Sequence, residues 1–512
     1  MKSGSDLLNR AVLGQPRGTA QAAWRLGARG AVSRACTLIL LALVLPLGIM
    51  LAIITPLGGV ADEAAHVLRA DSLGHGEVFA YRAMERLPDG TQRQAAGVNA
   101  DPGLLAAMMV HGPGERVTPA RIAAARAARW AGHRRFAEIT PLAVYLPIFY
   151  LPAAVSMRAA QMAGGSPADA VYAGRFINLF VYALMGFLAL RVARFGHGLL
   201  LLALALPMEV SLAASLNQDG LLIATTILAF ALLTRDWDEP GERAGPSLPP
   251  SWIVAGLLLA FVSLAKLPYA GLLLLLALPQ AGRPRALVGR CLMAGLLALP
   301  ALAWTAYAMR HISLPWPPLP PYHPGPLWPG PRSAIFTTPD AAAQLRVLLA
   351  APWRMVTLSL GNAVRDHALP LQAIGVLGFL TLRLPLWLYG LWSLALLGAV
   401  FANGSSATRQ NVAPVWRGGI ILLILGLITI GIDMSQYLTW TRVGAAQVVG
   451  PSGRYFLPLL PAIAFILPQR LRNLPLGRAG LATGLGLALV ALAALGSLGG
   501  VPPVVLGGFY AP

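Results

Sequence analysis

Apolar segments long enough to cross a lipid bilayer recur along the whole of this chain. About 20 apolar residues span the hydrocarbon core of a membrane as an α-helix. The first such segment covers residues 35–56, and the last covers 479–498. Because 56% of the residues are hydrophobic and only 12% are charged, the sequence predicts an all-α polytopic membrane protein. It excludes a soluble enzyme held by a single anchor.

The chain carries a formal net charge of +19, which in a soluble protein would suggest nucleic-acid binding. Here the excess arginines lie in short linkers between apolar segments, as the positive-inside rule predicts for cytoplasmic loops. We therefore expect no nucleic-acid partner. We expect a cytoplasmic basic tail over residues 1–34 and a multi-pass location in an inner (cytoplasmic) membrane.

Following the basic linkers from a cytoplasmic N-terminus predicts about 11 transmembrane helices, with a range of roughly 10–13. Segment 141–162 is expected to lie in the interface or to re-enter, because it contains prolines and a central Arg158. Several spans are short or interrupted by proline, which favours a protein with an internal site. The predicted spans are 35–56, 171–190, 198–214, 220–234, 251–265, 267–280, 291–309, 384–402, 418–436, 454–468 and 479–498.

This topology defines a membrane domain at residues 35–498, a first outer loop at 57–140 and an outer C-terminal tail at 499–512. A second outer loop at 310–371 begins with a Pro-rich stretch at 315–331 that is typical of an extended segment. Residues 340–360 are typical of an amphipathic helix lying on the membrane. The aromatic side chains of the Pro-rich stretch would stack on sugar rings or form an interfacial belt: Trp316, Tyr322 and Trp328.

The unusual polar residues all fall on the outer side of this topology, which a random scatter would not produce. Some of them follow the first span, and others begin the second or the tenth span. The rest lie in the loops that join the third span to the fourth and the fifth to the sixth. We infer an outward-facing pocket with carboxylates on one side and cations on the other. The residues are Asp62, Glu63, His66, Arg69, Arg175, Asn217, Asp219, Lys266, Tyr269, Arg454 and Tyr455.

Simpler explanations exist for each of these residues. Asp62 and His66 are four positions apart and would share one face of a solvated interfacial helix. Asn217 would cap the following helix, Lys266 would snorkel to the interface, and Arg454 would serve as an interfacial anchor. The functional interpretation depends on their occurring together.

Together these residues suit a lipid-linked sugar phosphate. Cations at the outer interface would bind a phosphate or pyrophosphate leaving group, Arg by bidentate contact and Lys as a point charge. A carboxylate such as Asp62 would deprotonate an acceptor hydroxyl or orient a divalent cation, Mg²⁺ or Mn²⁺. Glu63 points about 100 degrees away on a helix, so a shared ion would need further ligands. No other cofactor is expected.

Four stretches resemble landmarks of a bacterial family of predicted multi-spanning membrane proteins, domain of unknown function 2142. The stretches are Asp-Glu-Ala-Ala-His at 62–66, Ser-Leu-Asn-Gln-Asp-Gly at 215–220, Ala-Lys-Leu-Pro-Tyr at 265–269, and the block from Tyr437 to Pro458. The positions Gln218 and 375–378 depart from the pattern of close relatives. The family is similar in layout to GT-C glycosyltransferases, which use polyprenyl-phosphate sugars and keep an acidic pair in the first outer loop.

This resemblance implies that Asp62 is the catalytic carboxylate, supported by Glu63 and His66. The remaining polar residues named above would contact the substrate or its phosphate. We therefore expect a GT-C-like glycosyltransferase in the bacterial inner membrane, surrounded by membrane lipids, with outer-face interfacial helices. It would move a sugar from a polyprenyl-phosphate donor to a cell-envelope acceptor on the outer face.

Two other functions remain possible from the sequence. One is a transporter or flippase for a lipid-linked glycan, which would need polar residues that continue to the cytoplasmic side. The sequence shows almost no such residues and no inverted repeat. The other is a non-catalytic component of an envelope polysaccharide assembly complex.

Overall fold

A computed structural model of the chain shows a mainly helical protein. It describes residues 30–510, except for 87–89, 91, 109–115, 239–247, 279–283, 315–339, 402–414 and 467–475. Within this part of the chain six helices are long and apolar enough to cross a membrane, or seven if one bent helix pair forms a single span. The six are Gly30–Ile54, Pro167–Val192, Gln218–Trp237, Arg285–His311, Trp416–Thr439 and Gly480–Phe509.

The described helices of the first half of the chain are α1 (Gly30–Ile54), α2 (Glu63–Gly74), α3 (Pro102–Met108), α4 (Pro119–Ala127), α5 (Leu151–Met162), α6 (Pro167–Val192), α7 (His197–Ala205) and α8 (Pro207–Ala213). Those of the second half are α9 (Gln218–Asp238), α10 (Pro250–Ala265), α11 (Pro284–His311), α12 (Ala341–Ala350), α13 (Arg354–Arg365), α14 (Ala368–Gly375), α15 (Leu386–Phe401), α16 (Val415–Thr439), α17 (Ile463–Ile466) and α18 (Leu476–Phe509). Tighter 3₁₀ helices cover Pro147–Tyr150, Leu267–Leu276 and Gly453–Ala462.

The prediction of about 11 full transmembrane helices is wrong, because several apolar segments are not continuous α-helices. The predicted span 198–214 divides into α7 and α8 at Leu206, whose extended backbone precedes Pro207. The predicted spans 251–265 and 267–280 are α10 and a 3₁₀ helix, separated by an extended Lys266. The predicted span 454–468 is mostly a 3₁₀ helix with internal prolines. The sequence predicts interruptions by proline in these segments, but the count of 11 treated each apolar segment as a full crossing.

Other predicted segments differ from the structure in their limits. Segment 141–162 is an exception, because the sequence predicts that it does not cross: after a 3₁₀ turn its helix α5 has 12 residues, which is too short to cross a bilayer. The amphipathic helix predicted at 340–360 is two helices, α12 and α13, bent by 106°. The last helix, α18, continues to Phe509, beyond the predicted end at 498. The Pro-rich stretch at 315–331 lies outside the described residues.

The loop that follows α1 contains a small sheet that an all-α prediction missed. Its strands are β1 (Tyr81–Arg86), β2 (Gln92–Ala100) and β3 (Arg135–Glu138), antiparallel in the order β1-β2-β3. Gly97 pairs with Tyr81 on one side and Glu138 on the other. A Cβ at Gly97 would lie 2.2 Å from the Ala137 carbonyl oxygen, so this position requires glycine. A second pair, β4 (Val376–Leu377) and β5 (Leu382–Arg383), forms a short hairpin.

Ionic contacts hold this sheet against α2. Arg134 Nη1 lies 2.8 Å from Asp71 Oδ2, and Arg134 Nη2 donates to the Asn99 carbonyl at 2.5 Å. Asp71 is almost fully buried, so its carboxylate requires this partner. The sheet therefore fixes the position of α2, whose first residues carry the candidate site.

At two glycines the backbone of one segment lies close to the backbone of another. A Cβ at Gly220 would lie 2.6 Å from the Ala213 nitrogen, at the junction of α8 and α9. A Cβ at Gly453 would lie 2.3 Å from the Ala373 nitrogen and the Leu369 carbonyl oxygen of α14. Glycine is required at both positions because a side chain would push the segments apart. The residues that follow Ala213 and Gly453 carry the polar side chains described next.

Candidate functional site

Asp62 is the most unusual residue of the site, both in backbone and in side chain. Its φ of 65° lies in the left-handed region, which costs about 1 kcal/mol or more for a residue with a Cβ. It is the N-cap residue of α2, and its side chain is 42% exposed. The preceding chain is fixed by a hydrogen bond from the Ala61 amide to the Gly378 carbonyl at 3.1 Å. Asp62 is therefore held in a strained conformation that presents its carboxylate to solvent.

Glu63, the second acid of the pair, points in the opposite direction into the protein. Its two carboxylate oxygens accept hydrogen bonds from Arg175 Nε at 2.8 Å and Nη2 at 2.6 Å. Both side chains are completely buried. The Gly58 amide also donates to Glu63 at 3.1 Å. This is a bidentate, charge-assisted pair in the interior.

The prediction that Arg175 binds a phosphate is not supported by this geometry. Besides Glu63, its guanidinium donates to the carbonyls of Ala52, Thr55 and Pro56 at 2.7–2.9 Å. These carbonyls lie at the C-terminal end of α1, where helix carbonyls lack partners within the helix. Arg175 and Glu63 therefore connect α6 to the end of α1 and position the turn that precedes Asp62.

Four predicted residues from distant parts of the sequence form one ion-pair network. Asp62 Oδ2 lies 2.7 Å from Arg454 Nη2, and Arg454 Nε lies 3.5 Å from Asp219 Oδ2. Asp219 Oδ1 in turn lies 2.6 Å from Lys266 Nζ. The side chains of Asp219 and Arg454 are each 6% exposed, whereas Asp62 is far more open. The network thus has one accessible end at Asp62.

Three local features place these charges. Asp219 is in the first turn of α9, where its backbone amide donates a hydrogen bond to Asn217 Oδ1 at 2.9 Å. Lys266 occupies the extended break between α10 and the 3₁₀ helix that follows. Arg454 begins the 3₁₀ helix after Gly453. Asn217 also donates from Nδ2 to the Ala61 carbonyl at 3.2 Å, which ties α9 to the Asp62 turn.

Aromatic rings surround the cations. Lys266 Nζ lies 4.4 Å from the ring centre of Tyr455 and 5.6 Å from that of Tyr145. The Arg454 guanidinium lies 5.3 Å from the Tyr455 ring. The Tyr269 hydroxyl donates to the Tyr455 carbonyl at 2.9 Å and so holds the backbone that carries this ring. Cation–π contacts stabilise positive charge at a partly desolvated site.

His66 lies one helical turn after Asp62 and is buried. Its Nδ1 lies 2.6 Å from the Tyr150 hydroxyl. Burial lowers the pKa of His66 to about 4, and the nearby carboxylates of Asp62 and Asp219 only partly oppose this shift. At neutral pH the imidazole is therefore uncharged.

Arg69 was predicted to contact substrate, but it serves the structure of the loop. It is fully buried, and its Nη2 donates to the Val78 carbonyl at 2.7 Å. Weaker contacts reach the carbonyls of Glu77 and Tyr145 at 3.5 Å. Arg69 therefore holds the chain after α2 in place through hydrogen bonds to its carbonyls, and it is not part of the ion-pair network.

An apolar cavity of about 510 Å³ adjoins the network. Its polar lining includes Lys266 and the ring of Tyr455. The rest of the lining is largely aliphatic and aromatic, from α10, α11, α16 and the segment that contains Tyr145. Among these side chains are Val144, Leu264, Trp304, Met309, Ile432 and Leu438. The cavity therefore joins a cation to a long apolar surface.

Some residues of the site were not predicted from the sequence. Tyr145 lies beside Lys266, Tyr150 pairs with His66, and Trp304 lines the cavity while donating to the Val144 carbonyl at 3.0 Å. The tyrosines belong to segment 141–162, whose prolines and short helix pointed to re-entrant backbone. Re-entrant backbone that lines a cavity is the signal that could have identified them.

The donor set does not favour a metal ion held by the protein alone. Asp62, Glu63 and Asp219 each have a cationic partner within 2.8 Å. In the described part of the chain, no three His, Cys, Asp or Glu side chains come together as metal ligands would.

Comparison with known proteins identifies the family. The family model described as "Predicted membrane protein (DUF2142)" matches residues 45–463, which is most of the chain. The chain therefore belongs to this family of membrane proteins. No curated protein and no solved structure matches the chain significantly.

Proposed function

We propose that the protein is a GT-C-like glycosyltransferase that uses a polyprenyl-phosphate sugar. The observation that carries this proposal is the adjacency of three features: an accessible carboxylate at Asp62, the cations Arg454 and Lys266, and an apolar cavity lined by Lys266. A lipid-linked sugar phosphate has the matching parts, namely a hydroxyl-rich sugar, an anionic phosphate and an apolar chain.

The donor would bind with its phosphate at Lys266 and its chain in the cavity. Lys266 now pairs with Asp219 at 2.6 Å, and a phosphate would share this ammonium group. The cavity holds only the first part of a polyprenyl chain, so the remainder would extend between helices into the lipid. A volume of about 510 Å³ is within the usual range of ligand sites.

Asp62 would act as the general base. It would accept the proton of an acceptor hydroxyl, whose oxygen then forms a bond to the anomeric carbon of the sugar. The bond between that carbon and the phosphate oxygen breaks, and polyprenyl phosphate leaves with the electron pair. Arg454 contacts Asp62 at 2.7 Å and would stabilise the charge that develops on the phosphate. The proton on Asp62 is then lost to solvent.

His66 and Tyr150 would position the reacting groups. Their 2.6 Å contact holds the imidazole on the first turn of α2, close to Asp62. Glu63 and Arg175 would act at a distance by fixing the turn that strains Asp62. We assign no step to a divalent cation, because the carboxylates already have cationic partners.

The proposed location is the bacterial inner membrane, with the N-terminus cytoplasmic and the Asp62 side of the protein facing outward. The acceptor would then be a component of the cell envelope.

The test is envelope glycan mass spectrometry on a deletion strain that is complemented with wild type, Asp62→Asn or Glu85→Gln at matched protein levels. Glu85 forms a partly exposed pair with Arg93 in the same loop at 3.0 Å and is the control. We expect the deletion to lose one sugar, which wild type and Glu85→Gln restore and Asp62→Asn does not. Full restoration by Asp62→Asn would contradict the catalytic role and favour a non-catalytic assembly component.

A further inference from the structure

A second cavity, also of about 510 Å³, lies on α13 and is distinct from the first in position and chemistry. Its lining is rich in polar groups and includes Arg354, Thr357, Asn362, Arg365 and Asp366. The opposite wall is the loop segment 446–448. None of these residues takes part in the Asp62 network.

Hydrogen bonds hold the wall of this cavity in place. Arg354 Nη2 donates to the Tyr437 hydroxyl at 3.1 Å and to the carbonyls of Gly444 and Ala445 at 3.3 and 2.9 Å. Gln344 of α12 accepts from the Gly444 amide at 2.7 Å. These bonds hold the loop after α16 against α12 and α13, so the cavity does not depend on a ligand for its shape.

The residues that line the cavity carry more positive than negative charge. Arg354 and Arg365 face one acid of the lining, Asp366, whose Oδ1 accepts from the Ala368 amide at 3.0 Å. A second carboxylate, Asp433, is buried behind the lining residue Asn362. Within the described residues neither arginine forms an ion pair. Two guanidinium groups with neighbouring amide and hydroxyl groups are suited to a phosphodiester.

The same helix presents an unpartnered apolar stripe beside the cavity. Trp353, Val356, Leu360 and Val364 are 47–71% exposed and follow helical spacing. The cavity-lining residues Thr357, Gly361 and Arg365 lie about a third of a turn further around α13. The opposite side packs on α16, where Asn362 Nδ2 donates to Asp433 at 3.1 Å. A helix with this arrangement lies at the membrane surface with its apolar stripe among acyl chains.

We propose that this cavity binds the headgroup of an anionic phospholipid. The phosphodiester would lie between Arg354 and Arg365, and the acyl chains would follow the stripe formed by Val356, Leu360 and Val364. Charge complementarity selects an anionic over a zwitterionic headgroup, and the apolar stripe selects a lipid over a free phosphate. This inference does not depend on the proposed catalytic activity.

The experiment is native mass spectrometry of the full-length protein in detergent, after incubation with phosphatidylglycerol or phosphatidylcholine. The variant is Arg365→Gln, at an exposed position near the end of α13. The matched control is Arg346→Gln, an exposed arginine on the neighbouring helix α12 that does not line the cavity. Thermal unfolding of each protein in the same detergent shows whether it is folded.

We expect wild type and Arg346→Gln to retain phosphatidylglycerol in preference to phosphatidylcholine, and Arg365→Gln to retain several-fold less phosphatidylglycerol. Equal retention by Arg365→Gln and wild type would overturn the proposal, as would equal retention of the two lipids. Displacement of the bound lipid by excess inorganic phosphate would show a phosphate site without lipid specificity, and would also overturn it. If Arg365→Gln is unstable, Arg365→Lys should restore retention in part, because it keeps the charge and loses the fork geometry.

Discussion

Arg454 contacts Asp62 at 2.7 Å although the two residues are 392 positions apart in the sequence. The contact joins the turn after the first membrane helix to the 3₁₀ helix near the end of the chain. Asp219 and Lys266 extend it to the first turn of α9 and to the extended break after α10. The candidate site therefore forms only when the whole membrane domain has folded, and its geometry depends on contacts well away from it.

Replacing Arg454 by lysine should reduce the proposed transferase activity about 100-fold or more. Lysine keeps the charge but cannot contact Asp62 and Asp219 together, because it lacks the planar fork of arginine. The measurement is sugar transfer from a synthetic polyprenyl-phosphate donor by purified protein. Arg383→Lys, at an exposed position of β5, is the control. Unchanged sugar transfer by Arg454→Lys would show that the activity does not need the arginine side chain at this position.

Glu63→Gln should destabilise the protein by about 3–5 kcal/mol, because it leaves Arg175 as a buried charge without its partner. The corresponding surface change, Glu85→Gln, should cost about 0–1 kcal/mol, since Glu85 and Arg93 are partly exposed. Thermal unfolding in detergent measures both. Equal stability of the two variants would show that the Glu63–Arg175 pair does not hold the Asp62 turn.

Stability should fall on acidification, in part through His66. Its pKa in the folded protein is about 4, below the value of about 6.5 in an unfolded chain. Its contribution is therefore fully present above pH 6.5 and is lost as the pH falls through that value towards 4. The total is on the order of 3 kcal/mol. His66→Gln should flatten this part of the pH dependence of the unfolding temperature, and His133→Gln, at an exposed position, should not.

Gly453→Ala should displace the 3₁₀ helix that carries Arg454. The new methyl group would lie 2.3 Å from backbone atoms of α14, and neither segment can move without losing other contacts. We expect a loss of about 1–3 kcal/mol together with a loss of the proposed activity. Gly426→Ala is the control, since a Cβ there meets nothing within 4 Å and alanine favours the helix by about 1 kcal/mol.

The residues of the site could be predicted from the sequence, but the directions in which their side chains point could not. The sequence selects Asp62, Asp219, Lys266 and Arg454 because they fall together on the outer side of the predicted topology. Arg175 satisfied the same criterion, yet its guanidinium caps the carbonyls of α1. Whether the Arg175 guanidinium contacts a ligand or backbone carbonyls depends on how α6 packs against α1, and the sequence does not show this packing.

Secondary structure was predictable where apolar runs were uninterrupted. The helices α1, α6 and α9 match predicted spans closely. The breaks at Leu206 and Lys266 agree with the interruptions that proline and the span limits predict there. The number of crossings was wrong because hydropathy alone does not show which short apolar segments cross the membrane. The sheet in the first loop was missed because its strands owe their stability to contacts with α2, made through Arg134 and Asp71, and not to a strong local pattern.

Filling the apolar cavity should discriminate between donors by the length of their lipid. Leu438→Trp places a larger ring in the cavity and should raise the KM for a long-chain polyprenyl-phosphate sugar about 10-fold or more, since excluded apolar surface forfeits about 25 cal/mol per Å². A donor with a short chain should be affected much less, because it leaves the cavity partly empty. Leu427→Trp, on the exposed side of the same helix, should change neither. If Leu438→Trp affects long and short donors equally, the cavity does not receive the lipid chain.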